Sequence, residues 1–206
     1  DELDFRGRAA AWREAFDGWK VYYAGKSFLC AEVARWIAAE GLNLDVCSAG
    51  ELAVALRAGL DPARIGLHGN NKSDELLRVA LSHGVGRIIV DSSDEITRLE
   101  RLTAELGVRA QVLIRVTTGV EAHTHEYIAT AHEDQKFGFS ISGGQALVAM
   151  VRCYGSPRID LMGIHSHIGS QIFDTNGFEV ATRRTLRLLS QFSEATGTPL
   201  PELDLG

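Results

Sequence analysis

The sequence has few of the features that mark a secreted, membrane or zinc-binding protein. Its three cysteines, Cys30, Cys47 and Cys153, are widely spaced and form no Cys-x-x-Cys pair. They indicate neither a disulfide framework nor a zinc site, and we expect each to be a small buried side chain. No apolar run reaches the roughly 20 residues that span a bilayer, and the acidic start is unlike a signal peptide. A cytoplasmic protein is expected.

Clustered basic residues are also missing. The 206 residues include 21 Lys and Arg against 27 Asp and Glu, which gives a net charge of -6. Nucleic acids and anionic membranes bind clusters of Lys and Arg, so we expect neither as a partner. No Gly-x-Gly-x-x-Gly motif follows the first predicted strand, which argues against a dinucleotide-binding Rossmann domain.

Strand-like apolar runs alternate with segments of helical period along most of the chain. The predicted strands are residues 21–25, 42–47, 65–68, 87–90, 111–116, 161–167 and 203–205. Val, Ile and Leu occupy both parities of these runs, which indicates burial on both faces and parallel pairing. We predict an α/β fold, a (β/α)8 TIM barrel with about seven of its eight strands present. The barrel is expected to be incomplete at Gly206, as part of a longer protein.

Lys26 ends the first predicted strand and is the strongest candidate for a nucleophile. A lysine that is desolvated at a strand end has a lowered pKa, so its neutral amine can attack an aldehyde such as that of pyridoxal phosphate. The sequence has four lysines, the others being Lys20, Lys72 and Lys136. Lys20 precedes its strand, Lys72 follows one by several residues and Lys136 lies in a long connection. We therefore expect Lys26 to be the best buried of the four.

The other strand ends also carry polar groups, which a barrel would bring to one mouth. They are residues 45–48, Asp91, Arg115, 68–71 and 165–170. His165 and His167, two apart on a strand, are open to interpretation as a metal site, but no Glu or Cys has ligand spacing, and the following Gly169-Ser170 suits an anion better. The alternative for Glu51 is structural, because a carboxylate in the first turn of a helix complements the helix dipole.

Several motifs together resemble the fold-type III pyridoxal-phosphate enzymes, the group of alanine racemase and the basic amino acid decarboxylases. They are Tyr-Ala-Gly-Lys-Ser at 23–27, Asp-Val-Cys-Ser-Ala-Gly-Glu at 45–51, His-Gly-Asn-Asn-Lys at 68–72, His-Thr-His-Glu-Tyr-Ile at 123–128, Lys-Phe-Gly at 136–138 and His-Ser-His-Ile-Gly-Ser-Gln at 165–171. The resemblance covers nearly the whole chain.

The resemblance implies a role for each of several residues. Lys26 would form the Schiff base with pyridoxal phosphate, and His167 would stack on its pyridine ring. The positions implied to support the cofactor are Asp45, Glu51, Arg115, Ser170 and Gly206. Gly206 resembles the first glycine of a phosphate loop. The segment from His123 through His125 to Lys136 resembles a cover that meets substrate, and no metal is implied. The family has Asn-Pro after the strand of Arg115, whereas this chain has Thr117-Thr118.

Within the family, residues 123–128 and 167–171 are most similar to the branch that acts on diaminopimelate. The reaction this implies is loss of CO2 from the D-configured centre of meso-diaminopimelate, which gives L-lysine. The family carries the partner of the pyridine nitrogen, the groups that reprotonate the product and a C-terminal β domain on segments beyond Gly206, and it forms a head-to-tail homodimer. We therefore expect residues 1–206 alone to be inactive.

Three other functions are considered alongside this one. The first is another decarboxylase of the same fold, acting on a basic amino acid or polyamine precursor. The second is a regulatory barrel that holds the cofactor without catalysis. The third is a barrel segment with a phosphate site and no pyridoxal chemistry.

Overall fold

A computed structural model describes residues 1–120, 136–169 and 175–206 of the chain. Its helices are α1 Glu2–Ala15, α2 Ala31–Ala39, α3 Ala49–Arg57, α4 Asp74–His83, α5 Ser93–Leu106, α6 Gln145–Gly155 and α7 Asn176–Thr196. Its strands are β1 Tyr22–Ala24, β2 Asn43–Val46, β3 Ile65–Leu67, β4 Arg87–Val90, β5 Ala110–Thr117, β6 Phe139–Ser140, β7 Ile159–Ser166 and β8 Glu202–Asp204. The chain forms two compact units, residues 1–88 and 89–206.

The first unit is a parallel sheet with helices between its strands. β1 pairs with β2, β2 with β3 and β3 with β4, all in parallel. Leu44, Val46, Ile65 and Leu67 are almost completely buried and form its core. In β2, the buried Leu44 and Val46 alternate with the half-buried Asp45, so the aspartate side chain lies on the opposite face of the strand.

The second unit repeats the same order of strand and helix. β5 pairs in parallel with both β6 and β7, and β7 pairs in parallel with β8. Its core includes Val112, Ile114, Ile164 and Phe192. All seven predicted strands are present within one or two residues of their predicted bounds, so the α/β class with parallel pairing is confirmed. The two-residue strand β6 and helix α1 were not predicted.

Three of the described helices, α3, α4 and α5, have a serine N-cap, which fixes where each helix starts after the preceding strand. Ser48, Ser73 and Ser92 each accept a hydrogen bond from the backbone N–H three residues later. Such caps satisfy N–H groups that have no partner within the helix. Because Ser48 and Ser92 stand immediately after polar strand ends, the caps also hold those ends in place. Among the described residues, no helix is long and apolar enough to cross a membrane.

Candidate functional site

Lys26 lies in a 3₁₀ turn, Gly25–Ser27, directly after β1. Gly25 is buried, and a Cβ at this position would lie 2.8 Å from the backbone oxygen of Asp45. The absence of a side chain thus lets the end of β1 pack closely on β2 and sets where Lys26 leaves the sheet. The Lys26 side chain is exposed, so the expectation that it is the best buried lysine is wrong.

Lys72 is the lysine that the fold buries. Only 2% of it is exposed, and its Nζ donates a hydrogen bond to the backbone oxygen of Gly69. The loop between β3 and α4 folds over its aliphatic stem, as the Cγ of Lys72 lies 3.7 Å from where a Cβ of Gly69 would stand. The sequence places Lys72 several residues beyond its strand, and only the turn of this loop brings it inward.

Asp45 lies level with Ala24 and Gly66 on the neighbouring strands of the first unit. A Cβ on Gly66 would be 2.4 Å from Oδ1 of Asp45, so the carboxylate occupies the space that the glycine leaves open. There Oδ1 comes within 3.1 Å of Nε2 of His68. The imidazole carries charge only when protonated, so this contact is an ion pair only in that state.

Glu51 closes a capping box at the start of α3. Its backbone N–H donates to Oγ of Ser48 at 3.2 Å, and its Oε2 accepts from the backbone N–H of Cys47 at 2.6 Å. Burial and, next, the Glu51 carboxylate raise the pKa of the Cys47 thiol, while the charge of Lys26 opposes this rise. The structure therefore shows the structural role considered for Glu51, and its predicted role in cofactor binding stays a prediction.

Arg115 near the end of β5 is held by Asp91, which follows β4. Its Nη1 lies 3.6 Å from Oδ2 of Asp91, and both groups are largely withdrawn from solvent. Burial lowers the pKa of Arg115, and the Asp91 carboxylate opposes that change. A buried guanidinium requires such a partner.

The segment that precedes β6, residues 136–138, contacts both Asp91 and Arg115. Oδ1 of Asp91 accepts a hydrogen bond from the backbone N–H of Gly138 at 2.6 Å. The guanidinium carbon of Arg115 lies 4.4 Å from the centre of the Phe137 ring, and Nζ of Lys136 lies 5.1 Å from it. These are cation–π distances. Lys136 itself is exposed.

Thr117 and Thr118, which stand where the family has Asn-Pro, both contribute to the second unit. Oγ1 of Thr117 donates to the backbone oxygen of Phe137 at 2.6 Å. The backbone oxygen of Thr118 accepts from Nη1 of Arg184 at 2.6 Å. The end of β5 is therefore bonded to the segment before β6 and to helix α7, without a proline.

His167 and Gly206 meet at the ends of β7 and β8. A Cβ on Gly206 would lie 2.8 Å from Nδ1 of His167 and 2.6 Å from the backbone oxygen of Ser166, so only glycine fits there. The backbone N–H of Gly206 donates to Oδ1 of Asp204 at 2.9 Å. His167 is exposed, as a ring that stacks on a ligand must be. His165 is buried, so the two histidines do not share a common environment as a metal pair would.

Three predicted site residues, His123, His125 and Ser170, lie outside the described residues.

The three cysteines differ in burial. Cys153 is buried as predicted, and burial raises its pKa to about 12. Cys30 and Cys47 are exposed, so the prediction of buried cysteines is wrong for these two. Each of them directly precedes a helix or its cap, where the chain leaves the core.

The sequence did not predict the surroundings of four polar residues, which are His68, Lys72, Asp91 and Glu95. His68 and Asp91 follow strands, so their position alone marked them as candidates. Glu95 repeats the capping pattern of Glu51, with Oε2 accepting from the backbone N–H of Asp91 at 3.0 Å. Lys72, Asp91 and Glu95 are buried and His68 is half-buried, and the local sequence does not encode this burial.

The side chains present suit pyridoxal phosphate. In the first unit the amine of Lys26 is exposed and accessible to an aldehyde. In the second unit the imidazole of His167 is exposed and the guanidinium of Arg115 is mostly buried. At Gly206 the backbone comes close to His167 with no side chain between, while its N–H is bonded to Asp204, so the phosphate role of Gly206 stays a prediction. Within the described residues, no group of three His, Cys, Asp or Glu side chains is placed to hold a metal ion.

The chain matches a protein-family model described as "Pyridoxal-dependent decarboxylase, pyridoxal binding domain" over residues 3–206. It is 54% identical to the diaminopimelate decarboxylase of Mycobacterium leprae over 211 residues, which is 100% of this chain and 45% of that protein. It is 46% identical to the diaminopimelate decarboxylase of Bacillus subtilis, over 98% of this chain and 47% of that protein. The chain thus spans about half the length of the curated relatives it matches.

Solved structures show the same fold. Diaminopimelate decarboxylase from Helicobacter pylori, solved in complex with L-lysine, has a TM-score of 0.86 at 28% identity, covering 98% of this chain and 51% of that one. Diaminopimelate decarboxylase from M. jannaschi has a TM-score of 0.84 at 27% identity, covering 100% of this chain and 48% of that one. The predicted fold class, an incomplete (β/α) barrel of the pyridoxal-dependent decarboxylase kind, is confirmed.

Proposed function

Since the chain belongs to the family of pyridoxal-dependent decarboxylases, as their pyridoxal binding domain, we propose that it is the cofactor-binding part of an enzyme that converts meso-diaminopimelate to L-lysine and CO2. The observation that carries this proposal is the identity of about half of all residues with diaminopimelate decarboxylases along the whole chain. The motif likeness of residues 123–128 and 167–171 to that branch supports the same substrate.

Lys26 supplies the amine that binds the aldehyde of the cofactor. It is accessible on the 3₁₀ turn after β1, and the packing of Gly25 against Asp45 fixes where that turn begins. When bound, pyridoxal phosphate accepts the electron pair released as the bond between Cα and the carboxylate breaks and CO2 leaves, after which a proton takes the place of CO2. The protein's own task is to align that bond and exclude water.

The other predicted residues hold and orient the cofactor. His167 presents an exposed ring for stacking, and Gly206 keeps the backbone beside it free of any side chain. Arg115 brings a fixed positive charge that Asp91 holds in place. Ser170 is proposed to bind phosphate, and His123, His125 and Lys136 to meet substrate. Asp45 and Glu51 are proposed to support the cofactor as well.

The same proposal includes a cytoplasmic homodimer. A decarboxylase of this family completes its site with segments outside residues 1–206. We therefore expect the isolated 206-residue chain to be inactive, and measurable CO2 release from that verified chain would contradict this. Gel filtration with light scattering on the longest form of the protein tests the dimer.

The central experiment combines cofactor labelling with a substrate panel on the longest form of the protein. Pyridoxal phosphate is added, the bound form is reduced with borohydride, and the modified peptide is identified by mass spectrometry. We expect the label on Lys26 and not on the buried Lys72, because an amine must be accessible to reach the aldehyde. Label on another lysine, or none, would contradict the cofactor role.

Release of CO2 is then measured with meso-diaminopimelate, lysine, ornithine and arginine. The proposal requires meso-diaminopimelate to be decarboxylated with the highest kcat/KM. Preference for another amino acid would place the protein with the decarboxylases of basic amino acids or polyamine precursors. Labelling of Lys26 without CO2 release from any substrate would favour a regulatory protein that holds the cofactor.

A further inference from the structure

We infer that Asp91 is the positioning residue for Arg115, and that it fixes the guanidinium and the Phe137–Gly138 backbone to each other as one unit. For its consequence at the cofactor this inference rests on the proposed function. Asp91 follows β4, Arg115 lies in β5 and Gly138 immediately precedes β6. One side chain thus joins three separate segments of the second unit.

Burial makes both contacts of the Asp91 carboxylate necessary. Only 2% of its side chain is exposed, and a buried carboxylate without partners strongly opposes folding. Oδ1 accepts from the backbone N–H of Gly138 at 2.6 Å, and Oδ2 faces Nη1 of Arg115 at 3.6 Å. Oδ1 therefore holds the backbone of Gly138 by a hydrogen bond, while Oδ2, which has no hydrogen bond in the described part of the chain, meets the Arg115 charge at ion-pair distance.

The backbone of Asp91 is fixed as well. Its N–H donates to Oε2 of Glu95 at 3.0 Å, and the N–H of Glu95 donates to Oγ of Ser92 at 3.2 Å. Glu95 is itself 1% exposed. The first turn of α5 therefore holds the backbone of Asp91 in place. The Asp91 carboxylate is thus positioned by contacts that do not depend on Arg115.

Arg115 also contacts Phe137, the residue before the glycine that Asp91 binds. Its guanidinium carbon lies 4.4 Å from the centre of the Phe137 ring. Next to that ring, Gly138 has φ +74°, and a Cβ there would lie 2.7 Å from the backbone oxygen of Arg115. The hydrogen bond from Gly138 to Asp91 thus sets the position of the Phe137 ring as well. Loss of Asp91 would therefore weaken both of these contacts of Arg115.

The test uses Asp91→Asn in the longest form of the protein, with Asp94→Asn as the matched control. The amide introduced by Asp91→Asn would keep an oxygen that accepts from Gly138 but lose the charge that faces Arg115. Asp94 stands three residues further on with a side chain 79% exposed. We expect Asp91→Asn to raise the Kd for pyridoxal phosphate about tenfold, and Asp94→Asn to change it less than about twofold.

A double-mutant cycle tests whether Asp91 acts through Arg115. In an Arg115→Gln background, Asp91→Asn should change the Kd for pyridoxal phosphate by less than about twofold, because the group it positions is gone. A full tenfold effect in that background, or no effect in the unmodified background, would overturn the inference. Should Asp91→Asn not fold, Asp91→Glu takes its place in the same cycle and must meet the same condition.

Hydrogen exchange without cofactor separates failure of this inference from failure of the proposed function. The amide of Gly138 should stay protected in Asp91→Asn and exchange at least about tenfold faster in Asp91→Ala, which removes the acceptor. Equal protection in both variants would overturn the proposed link to Gly138. If the exchange result holds while the unmodified protein binds no pyridoxal phosphate, the proposed function fails and the link stands.

Discussion

Asp45 in the first unit and Asp91 in the second both stand shortly before a serine cap, but at different positions and in different surroundings. Asp45 lies within β2, three residues before Ser48, whereas Asp91 follows β4 and directly precedes Ser92. Each serine caps a helix and is followed three residues later by a glutamate, Glu51 or Glu95. Both glutamates reach back to accept a backbone N–H, from Cys47 at 2.6 Å and from Asp91 at 3.0 Å. The local structure is the same pattern used twice.

Burial separates the two aspartates. The Asp45 side chain is 26% exposed, and its Oδ1 lies 3.1 Å from Nε2 of His68. The Asp91 side chain is 2% exposed and meets a guanidinium and the backbone N–H of Gly138. A partly exposed carboxylate can be hydrated, whereas a buried one depends on its protein partners. Asp91 is therefore a buried anchor in the second unit, and Asp45 makes a more exposed contact in the first.

The largest expected effect comes from Gly138→Ala, which attacks the framework around Asp91. A left-handed φ and a Cβ 2.7 Å from the backbone oxygen of Arg115 should together lower the free energy of unfolding by about 3 kcal/mol. Gly144→Ala is the control, because Gly144 has φ +73° with nothing within 4 Å of a Cβ. It should cost about 1 kcal/mol by urea denaturation. Equal losses would show that the Arg115 contact adds nothing.

An intermediate effect is expected from Gly66→Ala, which takes the space that the Asp45 carboxylate occupies. The new Cβ would stand 2.4 Å from Oδ1, but a side-chain end can move aside, so the loss of unfolding free energy should be only about 1 kcal/mol. Gly50→Ala in helix α3 has no contact closer than 3.9 Å and should instead stabilise by about 0.5 kcal/mol. If urea denaturation showed that both variants lower, or both raise, the free energy of unfolding, the Asp45 side chain would not occupy the space beside Gly66.

The smallest expected effect is on the alkylation rate of Cys47, whose backbone N–H donates to Glu51 at the start of α3. Because burial and then Glu51 raise the pKa of Cys47, Glu51→Gln should lower that pKa and increase the thiolate fraction at pH 8. Alkylation of Cys47 by iodoacetamide, followed by peptide mass spectrometry, should then be about twofold faster. Glu75→Gln, in the first turn of α4, is the control and should leave the rate unchanged. An unchanged rate in Glu51→Gln would mean that the carboxylate does not influence the thiol.

Periodicity made much of the fold predictable. The seven strands follow from β-branched and aliphatic runs, and the glutamate of the first box follows from its place in a first turn. Helix α1 was not predicted, and its large apolar side chains Leu3 and Trp12 are mostly exposed, so it lacks a clear buried stripe. β6 is only two residues long, too short for any period to appear in the sequence.

Candidate site residues were predictable by position and not by environment. Lys26, Asp45, Arg115 and His167 were selected because they stand at strand ends and match family motifs. The order of burial among the lysines was wrong, because the path of the loop after β3, rather than distance along the chain, decides that Lys72 is enclosed. Asp91 was recognised as a strand-end group, but its hold on Arg115 and Gly138 joins residues up to 47 positions apart.

The sequence by itself determined the alternation of strand and helix, the serine caps and the residue types available for cofactor binding, because each depends on neighbours within a few residues. Only the tertiary structure decided which charged groups are buried and which partners they have. Desolvation depends on every segment that packs around a side chain, and those segments come from distant parts of the chain. For this reason two aspartates beside the same capping pattern differ, Asp45 making a partly exposed contact in one unit and Asp91 acting as a buried anchor in the other.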